Sequence, residues 1–323
     1  MELRGTWTDL IAGVGLEIGE VFDQGQEEYQ PGIFRVLNNV SGTGAQRNVT
    51  GKTGLGRISL FDDGDDIPGG RRYKTYTTKV IYNNYGVHIN VSKNTIEDRD
   101  WSSELSETKD LSIGANFSQD ESGCQLFNGG FATTVNVNRY NMSWYGDGKP
   151  LFSTIHSTVV PGASTQSNAS STGILFTHDN LNTAHVALQE QQTDDGLPMA
   201  MNGKPMVVLP PALKKDGLEI TQSQMDPTTA NNAINVYVNG MGTDMAESTF
   251  LAASNGGSNT AWFLVVPGRH KLNHEVRQSP RLEQATNILN KGVTFTIDAR
   301  WADSVTDWRR TWASKGDAAA YSS

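Results

Sequence analysis

The spacing of apolar and polar positions changes along the chain and divides it into segments of different character. In residues 1–50, short apolar clusters alternate with Gly, Gln and Asn, a pattern that predicts an extended arm with one short helix. This segment is too polar to bury a core of its own. We therefore expect the arm to lie on another surface.

Residues 57–92 carry β-branched and aromatic residues in rough alternation, which is typical of strands. "RISLF" (57–61) and "YKTYTTKVIY" (73–82) are the two predicted strands, and "DDGDDIPGG" (62–70) between them is a charged turn. The pattern predicts a projecting hairpin with a long polar tip. Because an isolated hairpin is marginally stable in water, this one should rest on a neighbour.

Helical spacing begins at residue 91 and predicts one long helix that reaches residue 131, where "NGG" (128–130) supplies a stop. The positions that share its predicted face are Trp101, Leu105, Thr108, Leu111 and Ala115. Residues 131–176 are rich in loop-forming residues.

The remaining segment mixes helices and strands. Residues 177–192 predict an amphipathic helix with Thr177 as its N-cap. "PMVVLPPALKKDGLEI" (205–220) predicts a buried strand and then a helix with Pro211 in its first turn. Three more predicted strands are "INVYV" (234–238), "WFLVVP" (262–267) and "VTFTIDARW" (293–301). The pattern predicts an α+β protein.

Composition narrows the classes of function. The chain has 323 residues and a formal net charge of −9, and its longest basic cluster is "GGRRYK" (69–74), which argues against a nucleic-acid clamp with a concentrated basic face. The single cysteine, Cys124, excludes an intrachain disulfide and argues against a cysteine-based zinc site. The first residues lack a long apolar run, so we expect neither a signal peptide nor a membrane span, and a protein kept in a cytoplasm.

The stretch "NVTGKTGLG" (48–56) contains Gly-Lys-Thr, the end of a phosphate-binding loop. A complete loop of this kind needs a glycine at the position that Gln46 occupies, a buried strand before it and a helix after it. None of these is predicted here. We interpret the stretch as a glycine-rich bend that leads into the hairpin.

Two groups of residues have the types that metal ions prefer. The carboxylates of the hairpin tip could hold calcium, but they lack the spacing and closing glutamate of an EF-hand, so we expect a solvated tip. These carboxylates belong to Asp62, Asp63, Asp65 and Asp66. His270 and His274 are four apart, as metal ligands on a helix would be, but they lie in a predicted polar loop, and we expect surface histidines.

A thiol protease pair of Cys124 with His156 or His178 has no local support, because Cys124 lies near a predicted helix end where a small buried residue is ordinary. His156 follows an apolar stretch and could act as a general base, but no activating carboxylate motif accompanies it. We expect a structural histidine. The residues thus predict no catalytic, cofactor-binding or metal site.

The order of the parts, and five strings within it, resemble the major capsid protein of tailed bacteriophages, in particular the Mu-like head-subunit branch of the Hong Kong 97-like capsid fold. The strings are "YGVHINVSKNTIEDRDW" (85–101), "DGKPLFSTIHST" (147–158), "LNTAHVALQEQQTDDGLPMAMNGKPMVVLPPALKKD" (181–216), "WFLVVPG" (262–268) and "VTFTIDARWADSVTDWRRTW" (293–312). Together they cover the region from Arg57 onward, and their order is more specific than any one of them.

The resemblance implies an α+β capsid fold with an N-terminal arm, an extended β-hairpin loop, a peripheral domain with a long spine helix, and an axial domain. The implied boundaries are an arm at 1–50, the hairpin loop at 51–90, the peripheral domain at 91–150, the axial domain at 151–285 and a return to the peripheral domain at 286–323.

The implied function is a shell built from pentamers and hexamers, icosahedral in form, that encloses phage double-stranded DNA without reading its sequence. The implied partners are copies of the chain itself, a separate scaffold protein, a portal and decoration proteins. The implied location is the virion, assembled in the cytoplasm of a host bacterium, with no membrane contact. An encapsulin-type nanocompartment and, further off, a hydrolase that uses His156 are the alternatives.

By analogy with the family, Arg71, Arg72 and Lys74 on the hairpin are candidates for contacts between subunits. The competing interpretation is that they are solubilising charges on a strand edge.

Overall fold

The computed structural model of the chain describes residues 7–133, 136–137, 140–199, 203–225, 234–287 and 289–319. The α-helices are α1 (Trp7–Glu28), α2 (Lys93–Asp98), α3 (Ser102–Asn128), α4 (His178–Gln189) and α5 (Lys214–Gln222). The strands are β1 (Asn38–Ser41), β2 (Gln46–Lys52), β3 (Lys74–Ile81), β4 (Asn83–Val91), β5 (Asn136–Val137), β6 (Tyr140–Ser143), β7 (Met206–Leu209), β8 (Asp244–Glu247), β9 (Trp262–Val265), β10 (Lys271–Thr286), β11 (Val293–Asp307) and β12 (Thr311–Ser314).

The long strands β10 and β11 form the centre of a sheet that has six strands in the described part of the chain. They run antiparallel over their whole length, and β1 joins β10 in parallel. The other edge of β11 pairs first with β4, antiparallel, and then with β6, in parallel at Asp303 and Ser304. Segments far apart in sequence therefore meet on β11.

Helices α1 and α3 pack beside this sheet. The buried side chains of α1 include Val14, Ile18 and Phe22, which are four residues apart and so lie on one helix face. The seam between the helices is polar: the Ser112 hydroxyl donates to the Phe22 carbonyl at 2.6 Å. A Cβ at Gly25 would lie 2.8 Å from Cβ of Ser112, so glycine is required for this close approach.

A second sheet has the order β12-β9-β7-β8. Every residue of β7, β9 and β12 is buried, which fits strands covered on both faces. One face packs against α4 in an apolar cluster that includes Leu181, Tyr237 and Trp262. A separate cluster joins residues of both sheets, among them Phe263 and Trp301, into the main core.

The hairpin is a two-stranded sheet of β2 and β3, with register from Gln46↔Ile81 to Lys52↔Lys74. Residues 54–72 connect the two strands without regular structure, and all of them are exposed. The predicted hairpin with a long tip is confirmed.

The prediction of an extended arm with one short helix was wrong, because residues 7–28 form the long helix α1. Glycines at 13, 15 and 19 dilute the apolar pattern, yet Val14, Ile18 and Phe22 keep helical spacing. Tertiary burial of that face stabilises a helix that propensity disfavours.

Two predicted strands were also wrong. "RISLF" (57–61) lies in the exposed loop, since the partner of β3 is the earlier segment β2. "INVYV" (234–238) runs into a π-helix at Tyr237–Met241. There the side chain of Asn235 caps Tyr237 N at 3.0 Å and donates to the Ile220 carbonyl at 2.6 Å, which holds the backbone away from a sheet.

The single long helix predicted over 91–131 is broken. Ser92 caps α2, Arg99 ends it in the left-handed conformation at φ 55°, and α3 begins at Ser102. The predicted face is covered, because Thr108 is fully buried and Trp101, Leu105, Leu111 and Ala115 are half-buried. The buried positions that the prediction missed are polar, among them Ser112 and Asn116. The predicted stop is confirmed, because α3 ends at Asn128.

The remaining helix and strand predictions for the C-terminal half are confirmed. Thr177 caps α4 by accepting from Asn180 N at 3.2 Å, and the strand and helix of residues 205–220 are β7 and α5. Strands β9 and β11 lie at the predicted places, while β10 was missed because its residues are mostly polar.

Candidate functional site

The extended loop of residues 54–72 combines full exposure with large apolar side chains. The relative exposure of Ile58 is 101%, that of Leu60 is 95% and that of Ile67 is 79%. Leu55 and Phe61 are also about half exposed, at 54% and 48%. Apolar groups concentrated in this way on a projecting segment mark a surface that binds another protein.

The three predicted contact residues lie where this loop rejoins β3. Arg71, Arg72 and Lys74 are all exposed, and within the described residues none of them forms an ion pair. Lys74 lies directly opposite Lys52 in the β2–β3 register. The base of the loop is therefore a local concentration of positive charge. Like charges directly opposite each other repel, which is unfavourable within the subunit.

The Gly-Lys-Thr motif is the end of strand β2, and its interpretation as a bend was wrong. Thr53 N donates to the Tyr73 carbonyl at 2.9 Å, and Tyr73 N donates to the Thr53 hydroxyl at 3.0 Å. These bonds prolong the hairpin by one pair. Because an exposed loop and not a helix follows, the motif has no phosphate-binding geometry.

His156 has a carboxylate partner that the sequence analysis did not identify. Its Nδ1 lies 2.7 Å from Oδ2 of Asp147, and its Nε2 lies 3.0 Å from Oδ1 of Asn168. The ring stacks on Trp308 at 4.2 Å between centroids with an interplanar angle of 6°. Asp147 lies nine residues earlier, in the turn that opens the string "DGKPLFSTIHST", and that turn is the signal that could have identified it.

The cluster around His156 connects three separate segments of the chain. The amide of Asn168 donates to the Leu151 carbonyl at 2.8 Å and to the Thr311 hydroxyl at 3.1 Å. His156, Asn168 and Trp308 are all buried, so neither ring nitrogen of His156 is available to a substrate. The prediction of a structural histidine agrees with this geometry.

The expectation of surface histidines at 270 and 274 was wrong, because both side chains are fully buried. His270 Nε2 lies 2.7 Å from the Val36 carbonyl, and burial lowers the pKa of His270 to about 4. His274 Nδ1 lies 2.7 Å from Oδ1 of Asp303 on the next strand. Each ring thus joins elements distant in sequence.

Cys124 is buried in α3, as expected, and its thiol lies 3.1 Å from the Ser248 hydroxyl. Burial raises the pKa of the Cys124 thiol well above its ordinary value, which opposes a nucleophilic role. Among the residues that the structure describes, no group of three or more His, Cys, Asp or Glu side chains is placed to hold a metal ion. Within the same residues, no helix is long and apolar enough to cross a membrane.

An α+β subunit with a long hairpin loop, a spine helix and two sheets has the architecture of phage capsid subunits. The solved structure of Mycobacterium phage Patience matches with a TM-score of 0.55 and 12% identity, covering 100% of this chain and 90% of that one. The capsid of Ralstonia phage GP4 matches with a TM-score of 0.53 and 12% identity, covering 87% of each chain. The capsid of a native GTA particle matches with a TM-score of 0.53 and 12% identity, covering 88% of this chain and 89% of that one.

A family model described as phage capsid protein matches residues 129–314, more than half of the chain. The chain belongs to this family, and it is a major capsid protein that assembles into the shell of a virion. The match favours this function over the encapsulin-type alternative. No curated protein matches the chain significantly.

Proposed function

We propose that this capsid protein forms pentamers and hexamers that close into an icosahedral phage head around double-stranded DNA. A shell of this kind follows when one chain occupies rotationally related positions. The observation that carries the proposal is the extended loop of residues 54–72. Its apolar side chains have no cover within the subunit, and a neighbouring copy would bury them.

Arg71, Arg72 and Lys74 act in this proposal as contacts between subunits. They lie at the base of the extended loop, whereas the carboxylates of residues 62–66 lie near its tip. A loop with a basic base and an acidic tip can meet charges of both signs on a neighbour. The exposure of Arg71, Arg72 and Lys74 supports this role. An anionic group on a neighbouring subunit would also relieve the repulsion between Lys52 and Lys74.

The shell would contain DNA without binding its sequence. A formal net charge of −9 is unfavourable for tight, nonspecific attachment of phosphate to the wall. The protein would act by assembly and not by catalysis, since the buried cluster at His156 offers no reacting atom to solvent.

Assembly would take place in the cytoplasm of a host bacterium with a separate scaffold protein, a portal and decoration proteins. The strings from 85–101 to 293–312 support placement in the Mu-like branch. The division into arm, hairpin loop, peripheral domain and axial domain, with the boundaries given above, is part of the same proposal. Two sheets with separate strand orders support it.

The test is electron microscopy of the purified full-length protein, expressed alone and with the head genes of its phage. Closed shells, or rings of five and six subunits, are expected. A double variant, Ile58→Ser with Leu60→Ser, should remain folded and form no closed shells, because it removes apolar contact area from the extended loop. Shells of normal size and yield from this variant would contradict the proposed role of the loop.

A further inference from the structure

A buried carboxylate holds the base of the hairpin. Glu275 on β10 has no exposed side-chain surface, and it accepts hydrogen bonds from the Arg47 guanidinium, the Tyr82 hydroxyl at 2.9 Å and the Ser304 hydroxyl at 2.8 Å. A charge removed from water requires a cation and further donors of this kind. Within the described residues, Arg47 supplies the cation in this cluster.

The partners of Glu275 lie where the hairpin leaves the central sheet. Arg47 belongs to β2, the outgoing strand, and Tyr82 lies between β3 and β4 on the return path. One carboxylate therefore holds both strands at their base. The register agrees, because Arg47 lies opposite Val80, and Val80 and Tyr82 pack on Ala302 of β11.

Close packing leaves the ring of Tyr82 little room to move. A Cβ at Gly42 would lie 2.7 Å from Cε1 of Tyr82, so the glycine turn of the outgoing chain rests on the ring. Gly42 N donates to the Val276 carbonyl at 2.8 Å, which ties this turn to β10 next to Glu275. Burial and the Glu275 hydrogen bond raise the pKa of Tyr82, so its hydroxyl keeps the proton that it donates.

The extended loop lies far from this base. The seven residues of β2 span roughly 20 Å, so a rotation of about 10° at the base would move the loop by roughly 4 Å. A displacement of that size would separate contacts between side chains, which extend only to about 4 Å. The direction fixed at Glu275 therefore decides where the loop reaches.

We propose that Glu275 is a positioning residue for shell assembly, which fixes the direction in which the hairpin leaves the subunit and thereby the angle between neighbouring subunits. The proposal rests on the proposed function, in which the extended loop contacts a neighbouring copy. Glu275 is buried within its own subunit, and in this proposal it acts through Arg47 and Tyr82.

Asp303 provides a matched control. It is 1% exposed and lies on β11, next to Glu275 in the same sheet. It also has two polar partners, the His274 ring and the Ser122 hydroxyl. These belong to β10 and α3, and neither lies on the hairpin. Asp303→Asn should destabilise the subunit as a buried substitution does, without releasing the hairpin.

The experiment compares the wild type, Glu275→Gln and Asp303→Asn as full-length proteins. Hydrogen exchange of the unassembled subunits should be faster by about tenfold in Glu275→Gln at residues 46–50 and 77–81, with β7 and β9 unchanged. Cryo-electron microscopy of assembled particles should show a broader distribution of diameters, with open or misclosed shells. Asp303→Asn should leave both the hairpin exchange and the diameters of its particles as in the wild type.

Tyr82→Phe is a milder variant that keeps the ring and removes one donor, and it replaces Glu275→Gln if that protein does not fold. Wild-type exchange at the hairpin strands in the folded variant would overturn the proposal, as would equal broadening of particles by Asp303→Asn. The Ile58→Ser, Leu60→Ser variant separates the two proposals. If it assembles normally, the loop contact itself is wrong; if it fails while Glu275→Gln assembles normally, only the role of Glu275 is wrong.

Discussion

The sheet of β7, β9 and β12 and the extended loop of residues 54–72 use apolar residues in opposite ways. Trp262 on β9 has no exposed surface, whereas Ile58 on the loop is fully exposed. The sheet buries its apolar groups within the subunit, whereas the loop leaves them exposed. The residues that stabilise the fold are therefore different from those that, in the proposed function, contact a neighbouring subunit.

The largest effect on subunit stability is expected from Trp308→Ala. Trp308 is 1% exposed and stacks on the His156 ring, and the carbon of the Arg309 guanidinium lies 4.8 Å from the centroid of the Trp308 ring. Truncation of a buried tryptophan should lower the free energy of unfolding by about 3–5 kcal/mol. Urea denaturation of unassembled subunits measures this change in the free energy of unfolding. A loss below about 1 kcal/mol would show that the cluster around His156 is not part of the stable core.

The second-largest effect is expected from acid, which should lower the free energy of unfolding of the subunit. Burial lowers the pKa of His185 and of His270 to about 4, below the ordinary value of 6.5. The unfolded chain takes up these protons as the pH falls through 6.5, and the folded protein does so only near 4. Stability is therefore retained above pH 6.5 and lost between 6.5 and 4, by at most about 3–4 kcal/mol for each histidine.

The measurement is the free energy of unfolding of unassembled subunits between pH 7.5 and 4.5. Asp120 opposes the trend toward the acidic end, because burial raises its pKa and the folded state therefore binds that proton more tightly than the unfolded chain does. The difference in pH dependence between the wild type and His185→Gln gives the contribution of His185 to the free energy of unfolding. A variant with the same pH slope as the wild type would contradict the assignment.

Changes in the extended loop should have almost no effect on the isolated subunit. Ile58→Ser with Leu60→Ser removes side chains that are exposed by 101% and 95%, so the free energy of unfolding should change by less than about 0.5 kcal/mol. The yield of shells should nevertheless collapse. A stability loss comparable to that of Trp308→Ala would show that the loop packs within its own subunit.

The smallest effect is expected when Arg71, Arg72 and Lys74 are all replaced by alanine. Subunit stability should be unchanged, and shell assembly should become less sensitive to salt, because screened attractions at the loop base are removed. Light scattering at low and high salt measures the rate of assembly. A rate with the wild-type salt dependence would support the alternative that these residues are solubilising charges.

The parts of the fold that were predictable from the sequence are those with local signals. Thr177 indicates the N-cap of α4, and the β-branched residues of "VTFTIDARW" predict β11. β10 was missed because its buried positions include His274 and Glu275, whose side chains form hydrogen bonds with residues far away in sequence. Local patterns do not contain that information.

Dependence on tertiary packing also explains which features of the candidate sites could be predicted from the sequence. Exposure of the charged hairpin tip follows from its composition, and the contact role of Arg71, taken from the family by analogy, stays a prediction. The partnership of Asp147 with His156, and that of Arg47 with Glu275, depend on tertiary packing. The interpretation of His156 as a structural residue agrees with its burial, but it was made without knowledge of the Asp147 carboxylate beside it.

The place of β11 within the sheet also orders events during synthesis. β1, β4 and β6 all precede residues 293–307 in the chain, and β4, β6 and β10 pair directly with that strand. On the ribosome the hairpin and the spine helix emerge long before the strand on which the central sheet depends. A chain that stops before residue 293 would lack the strand that pairs with β4, β6 and β10, so its central sheet could not form.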